Sequence, residues 1–416
     1  MSDKGSIKVM FRQATDDASA TVRKTGRAKN WAGPAAMILA GLLAGLLLSE
    51  FAASLVVPKP AKFYVRRPNM HGTLAPPEDI MPGVSGPSEW ITNSEGIRGE
   101  ELAANQSYRI LVIGGSTTEC VYLDQHRAWP DLIEQKLREA TGLNIWVGNV
   151  GISGHNSRHH IVYMKYLLPQ YPRIDTVLVL VGTNDLSLRL LDLKYNPHFL
   201  ETPSGEAEVV RRAFYMHPSQ FEKWLYRKTA LWNLWAILQR EYFSGPRQDR
   251  GGELFRRRRN ERKNAVMVDQ LPDLEPSLAE FRRNLNTLVD IAAAHFVRLI
   301  FLTQPSMWRE DLAPRESDML VKERVMRPGV KPGREYYSVK ALAEGMARYN
   351  QVTLDVCRAR GVECIDLATM LPKDLTVFYD DVHFNDGGSE KVAEIVSGYL
   401  LATRFWESTI RRPLEP

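Results

Sequence analysis

Residues 108–118 read YRILVIGGSTT. A short apolar run closing on two glycines and a serine suits a fully buried strand that turns sharply into a helix. Outward from it the pattern repeats. A helical stretch runs from Trp129 to Ala140, and NIWVGNV (144–150) reads as a second strand. Arg158 to Leu168 suits a helix, and IDTVLVLVG (174–182) a third strand. VRLIFLTQP (297–305) gives a fourth strand, Glu335 to Arg360 a long helix, GVECIDL (361–367) a fifth strand, and Gly387 to Phe405 a closing helix. Strands alternating with helices predict an α/β fold, a parallel sheet covered on both faces. Ligands of such sheets bind beyond the carboxyl ends of the strands.

The chain has 416 residues, 44% of them hydrophobic, enough for a sizeable core in one large or two smaller domains. A net charge of +5 is mild at this length and gives no reason to expect a nucleic-acid partner. Three cysteines exclude a disulfide framework and a four-cysteine zinc site. Cys357 and Cys364 are close enough to bridge in an oxidising compartment, but two buried thiols are the expectation.

Trp31 to Ser49, WAGPAAMILAGLLAGLLLS, carries no charge and approaches the ~20 residues that cross a bilayer as a helix. Glu50, the apolar FAASLVV and Pro58 follow, so residues 31–57 form the expected membrane helix. Arg23, Lys24, Arg27 and Lys29 precede it and predict a cytoplasmic tail over 1–30, with the rest of the chain on the far side. Lys59, Lys62, Arg66 and Arg67 load the other flank and weaken that orientation. A signal peptide cleaved near Ala52–Ser54 and a buried core helix are the alternatives.

Residues 58–105 are rich in Pro, Gly and polar side chains, which suits a linker and an extended layer on the next domain. That domain is expected over 106–405, with a tail over 406–416. An insertion runs from about Leu186 to Pro276. Within it Phe221, Trp224, Leu225, Leu231, Leu234, Trp235 and Leu238 recur at helical spacing, with Lys223, Arg227, Lys228 and Arg240 between them, predicting one amphipathic helix. FRRRRNERK (255–263) is strongly basic. A static cover, a mobile lid and a membrane-surface helix are all compatible with this insertion.

Four polar motifs follow strands. Gly114-Gly115-Ser116-Thr117-Thr118 could expose a serine beside a helix N-terminus, although a plain N-cap reads the same way. It has neither the Gly-Lys-Ser/Thr ending of a phosphate-binding loop nor a G-x-S-x-G elbow. Asn149 to Asn156, NVGISGHN, and Gly182-Thr183-Asn184-Asp185 are alone ordinary turns. Tyr379 to Asn385, YDDVHFN, holds a histidine suited to proton transfer near neutrality, with a carboxylate three residues before it. Alone, that pair could as well ligate a metal.

Together, in the order Ser, Gly, Asn, Asp-x-x-His, the four blocks resemble the SGNH/GDSL hydrolase superfamily over roughly Tyr108 to Arg404, less the insertion. The Trp129-Pro130 pair also resembles one common after the first block. The resemblance implies a flavodoxin-like α/β/α fold, Ser116 as nucleophile, and Asp380 and His383 as triad acid and base. It implies an oxyanion hole from the N–H groups of Ser116 and Gly154 and the side chain of Asn184. The first block departs from the usual Gly-Asp-Ser, and Asp381 is a minor alternative to Asp380. No metal or organic cofactor is implied. The leading expectation is a membrane-anchored esterase or deacetylase outside the cytoplasm, acting on an ester-bearing substrate such as an acylated carbohydrate or lipid. An O-acyltransferase modifying an exported polysaccharide would share every motif. A non-catalytic binding protein on the same fold is the third reading.

Overall fold

The structure is a computed structural model that describes residues 32–57, 62–171, 173–239 and 251–407. The expected basic tail, Pro58, Lys59, Arg240 and the chain from residue 408 lie outside them. The chain divides into two units at Ala52/Ala53.

Helix α1 (Ala32–Val56) carries one ionisable residue, Glu50, and is long and apolar enough to cross a membrane or to be a signal sequence. Its apolar side chains from Met37 to Leu48 are exposed, which removes the reading of a buried core helix.

Beyond it, the extension forms a small antiparallel hairpin of β1 (His71–Leu74) and β2 (Ser88–Ile91). The central sheet contains β3 (Tyr108–Gly114), β4 (Ile145–Asn149), β5 (Thr176–Leu180), β7 (Arg298–Leu302) and β9 (Glu363–Ile365). All its pairings are parallel, in the order β4-β3-β5-β7-β9. Every residue of β3, β4 and β5 is buried, which is why these strands read as continuous apolar runs rather than alternating ones.

Helices α2 (Ser116–Glu119) and α3 (Trp129–Thr141) link β3 to β4. The connection from β4 to β5 is α4 (Ser157–Leu167). Right-handed crossovers put α3 on one face and α4 on the other. Helix α5 (Thr183–Leu191) follows β5, then α6 (Gly205–Ala213), α7 (Ala230–Leu238), α8 (Gly251–Lys263), the short strand β6 (Val266–Val268) and α9 (Glu275–Ala294) before β7. After β7 come α10 (Pro314–Ser317), β8 (Glu335–Tyr337), α11 (Val339–Arg360), β9, α12 (Leu367–Met370) and α13 (Asp386–Ala402). Helices α9 and α11 pack together beside α4, and α13 packs on α3, closing the three layers.

Three expectations change. The helix foreseen from Glu335 begins at Val339: Glu335–Tyr337 instead pair in parallel with β6, and the Ser338 hydroxyl caps the helix by accepting from Ala341 N–H at 3.2 Å. The foreseen helix over Phe221–Leu238 is broken into turns at Ser219–Phe221 and Leu225–Lys228 and the separate helix α7. Thr229 is extended and its hydroxyl accepts from Trp232 N–H, so a new helix starts there. Cys357 and Cys364 form a disulfide rather than two thiols: Gly361 caps α11 in a left-handed conformation, returning the chain so that their Cα atoms lie 6.1 Å apart.

Candidate active site

The first strand delivers Ser116 as the opening residue of α2, at the β3/β5 edge where the strand order reverses. The turn is tight. A Cβ on Gly114 would meet Thr118 Oγ1 at 2.0 Å, and one on Gly115 would meet Asn184 Nδ2 at 2.2 Å. The glycine that departs from the usual Gly-Asp-Ser therefore lets the Asn184 amide lie against the backbone beside the serine. Trp129, fully buried, donates its indole N–H to Thr117 O at 3.0 Å and so braces this turn from α3.

His383 and Ser116, far apart in sequence, meet here: His383 Nε2 lies 2.7 Å from Ser116 Oγ. On its other side His383 Nδ1 lies 2.7 Å from Asp380 Oδ2 and 2.9 Å from Oδ1. Asp380 is fully buried, and its Oδ1 also accepts from the N–H groups of Val382 and His383 at 3.0 and 2.9 Å. Burial works to raise this carboxyl, but the His383 charge and these hydrogen bonds outweigh it and hold it below the ordinary range. The block does not follow β9 directly, as foreseen. It sits on a turn beyond α12, closed by a Phe378–Phe384 bridge, with Tyr379 stacked on His383 at 5.5 Å between ring centroids.

Asp381 points elsewhere. Its carboxylate accepts from Trp308 Nε1 at 2.9 Å, Val321 N–H at 2.6 Å and Lys322 N–H at 3.1 Å. Burial first, and the neighbouring Asp380 charge second, raise its pKa.

Gly154 is exposed, in a left-handed conformation with φ +81°. Asn184 Nδ2 donates to the carbonyl of the next residue, His155, at 2.8 Å, tying the second and third blocks together. The backbone N–H groups of Ser116 and Gly154 have no acceptor among the described residues. Asp185 turns away into the core, where its carboxylate accepts from Ser157 N–H at 3.1 Å and from the Ser157 hydroxyl. Burial pushes it up to about 7.

Several supporting residues were not legible as such. Glu119, on the first turn after Ser116, accepts from Ser153 N–H and Oγ at 2.7 and 2.5 Å, fixing the loop that carries Gly154. Arg66 and Arg98 arrive from the extension. Arg66 binds the carbonyls of Asn149, at 3.1 Å, and Gly151. Arg98 binds those of Glu119, Cys120 and Leu123 at 2.5, 2.8 and 2.8 Å, and both guanidiniums face the Trp90 ring. Burial lowers the Arg98 pKa to about 10.

The basic run also has another role than its composition suggests. Arg259 donates to Tyr379 O at 3.2 Å and Arg262 to Tyr337 O at 3.1 Å, while Phe255 packs on Tyr379. Helix α8 therefore backs the His383 turn. Among the described residues no cluster of three or more His, Cys, Asp or Glu could hold a metal ion.

This arrangement can pass a proton from a serine hydroxyl to an imidazole oriented by a buried carboxylate, beside unpaired N–H donors. A family model described as the GDSL-like lipase/acylhydrolase family matches residues 112–391. Among solved structures, the lipase/acylhydrolase from Enterococcus faecalis is similar at 16% identity, covering 71% of this chain and 96% of its own, with a TM-score of 0.36. A member of the lipolytic protein G-D-S-L family from Veillonella parvula matches at 12% identity over 71% of this chain and 99% of its own, TM-score 0.36. An acetyl xylan esterase from Geobacillus stearothermophilus matches at 14% identity over 74% and 99%, TM-score 0.36. No curated protein sequence matches the chain. With the family model spanning well over half of its length, the chain belongs to the GDSL-like lipase/acylhydrolase family and is a hydrolase of ester bonds.

Proposed function

We propose that the protein is a serine esterase acting outside the cytoplasm through a Ser116–His383–Asp380 triad and an acyl-enzyme. The observation that carries this reading is the 2.7 Å approach of His383 Nε2 to Ser116 Oγ, with Asp380 buried behind the ring. His383 takes the Ser116 proton as Oγ attacks the ester carbonyl. The carbonyl π electrons move onto oxygen, where the N–H groups of Ser116 and Gly154 and the Asn184 amide stabilise the charge. Collapse expels the alcohol, which takes the proton from His383, and water activated by the same imidazole releases the acid.

The catalytic domain is assigned to 106–405. The extension before it belongs to the same working unit, because Arg66 and Arg98 hold the loops on either side of Ser116. The non-cytoplasmic location is supported by the uncharged segment after a basic tail, and by the Cys357–Cys364 disulfide.

A fluorophosphonate probe tests the chemistry. Wild-type protein should be labelled and Ser116→Ala should not; labelling that persists would reject the nucleophile, and an inert wild type would favour a non-catalytic role. Screening p-nitrophenyl esters of rising chain length then defines the acyl group. Turnover of the acyl donor that rises on adding a sugar acceptor would identify an acyltransferase instead. A periplasm-dependent reporter fused after Pro416 tests the location, and activity only from a cytoplasm-dependent reporter would reverse it.

A further inference from the structure

Within the insertion, residues 219–238 stand out from the rest of the domain. Trp224 is 54% exposed, Leu225 82%, Tyr226 51% and Trp235 49%, and Leu238 is exposed as well. Isolated exposed apolar side chains are normal, but five within fifteen residues of one segment are not. Their neighbours are basic. Lys223 lies over the Trp224 ring at 5.7 Å, and Arg227 lies over Tyr226 and Trp232 at 5.8 and 5.3 Å. Lys223, Arg227 and Lys228 form no ion pair among the described residues. Helix α8, the other basic element, is already committed: Arg259 and Arg262 are buried on backbone carbonyls, and its exposed Arg256, Arg257 and Lys263 pair with Asp79, Glu261 and Asp318.

The position of the segment is as telling as its composition. Phe63 and Tyr64, shortly after α1 in the sequence, dock at the base of this segment. Tyr64 N–H donates to Met216 O at 2.9 Å, and Tyr215 N–H donates to Tyr64 O at 2.8 Å. Phe63 packs on Phe214 and Phe221, at 4.9 and 5.8 Å between ring centroids. Only six residues, Val57 to Lys62, separate Val56 at the end of α1 from Phe63. Fully extended, the seven residue-to-residue steps span at most about 25 Å. If α1 lies in a bilayer, that tether keeps Phe63, and with it the base of this segment, within reach of the membrane surface.

We infer that residues 219–238 are a membrane-docking surface, whose Trp224, Leu225, Trp235 and Leu238 enter the headgroup–acyl boundary while Lys223, Arg227 and Lys228 meet anionic phospholipid. Trp and Tyr favour that boundary, where an apolar ring and a polar edge are both satisfied. Each cation close to an anionic surface adds about 1 kcal/mol, roughly five-fold in affinity. Docking at two places, the apolar helix and this surface, would fix the height and tilt of the domain above the bilayer. The inference does not depend on the esterase chemistry.

The test uses the full chain reconstituted into phosphatidylcholine vesicles with and without phosphatidylglycerol. Cys120 is buried and Cys357 is paired with Cys364, so a thiol introduced as Leu225→Cys can be labelled selectively with an environment-sensitive fluorophore. Glu139→Cys, exposed on α3 across the sheet, is the control. The 225 probe should shift to the blue and be quenched by shallow spin-labelled lipid, more strongly with phosphatidylglycerol. Lys223→Glu/Arg227→Glu/Lys228→Glu should abolish that lipid preference while ester turnover in detergent stays unchanged. A 225 probe as hydrated as the 139 control in both vesicle types would overturn the inference. So would a 225 probe that ignores lipid but becomes protected when a fluorophosphonate occupies Ser116, since that behaviour belongs to a lid.

Discussion

Replacing Asp380 with asparagine changes one atom and should disable the proposed triad. Asp380 Oδ1 accepts two backbone N–H groups, at 3.0 and 2.9 Å, and an asparagine carbonyl can keep both. The amide nitrogen then takes the place of Oδ2, 2.7 Å from His383 Nδ1. An amide donates there, so Nδ1 must accept and the ring proton moves to Nε2. The nitrogen 2.7 Å from Ser116 Oγ then carries a proton and cannot take another. Imposing the wrong tautomer on a serine triad costs about 10⁴ in kcat, or about 5.4 kcal/mol of transition-state stabilisation. Asp381→Asn is the matched control. Its single amide oxygen can accept on one side only, so either Trp308 or the Val321 and Lys322 N–H groups lose their acceptor, and its cost should fall on stability, about 1–3 kcal/mol, with kcat within ten-fold. The assay is kcat on a short p-nitrophenyl ester, with thermal melts confirming that both variants fold. If the two variants lose activity equally, or Asp381→Asn loses more, the assignment of Asp380 is wrong.

Asn184→Ala should lower kcat by about 10²–10³ with little change in KM, and a change confined to KM would remove Asn184 from the oxyanion site. Arg98→Met leaves the carbonyls of Glu119, Cys120 and Leu123 without a donor in the core; a loss of about 3 kcal/mol, near 6–12 °C in Tm, is expected, and an unchanged melt would refute its bracing role. Asp185 has a folded-state pKa raised to about 7 from an ordinary 3.8, so the folded protein binds the extra proton and stability falls as pH rises from about 4 to 7. Asp185→Asn should flatten that slope, an effect of at most about 4 kcal/mol, and identical pH profiles of wild type and variant would contradict it. Thiol titration of the unfolded, unreduced protein should count one cysteine, Cys120, and three after reduction; three without reductant would show that the Cys357–Cys364 disulfide does not form.

The sequence by itself determined the sheet and the residues brought to its edge. Strands buried on both faces must be apolar throughout, so the β3, β5 and β7 runs announced themselves, and the parallel order fixed which ends could carry polar motifs. Ser116, Asn184 and His383 were legible as candidates because each belongs to a local block of residue types that the proposed chemistry would use. The tertiary structure decided what depends on partners distant in sequence. Arg66 and Arg98 lie in a stretch with no period, and only burial against the carbonyls after β4 and α2 reveals what they hold. Asp380 and Asp381 are indistinguishable by type; the neighbours of each, His383 for one and Trp308 with Val321 for the other, separate them. The arginine run 256–259 and 262 was legible only as strongly basic, because composition counts charges without seeing where side chains point. Folded, Arg259 and Arg262 spend their donors on buried carbonyls, while the segment that read as one amphipathic helix breaks at Thr229 and leaves Trp224, Tyr226 and Trp235 exposed. Periodicity reports which residues could share a face; whether that face meets a core depends on what the rest of the chain puts opposite it.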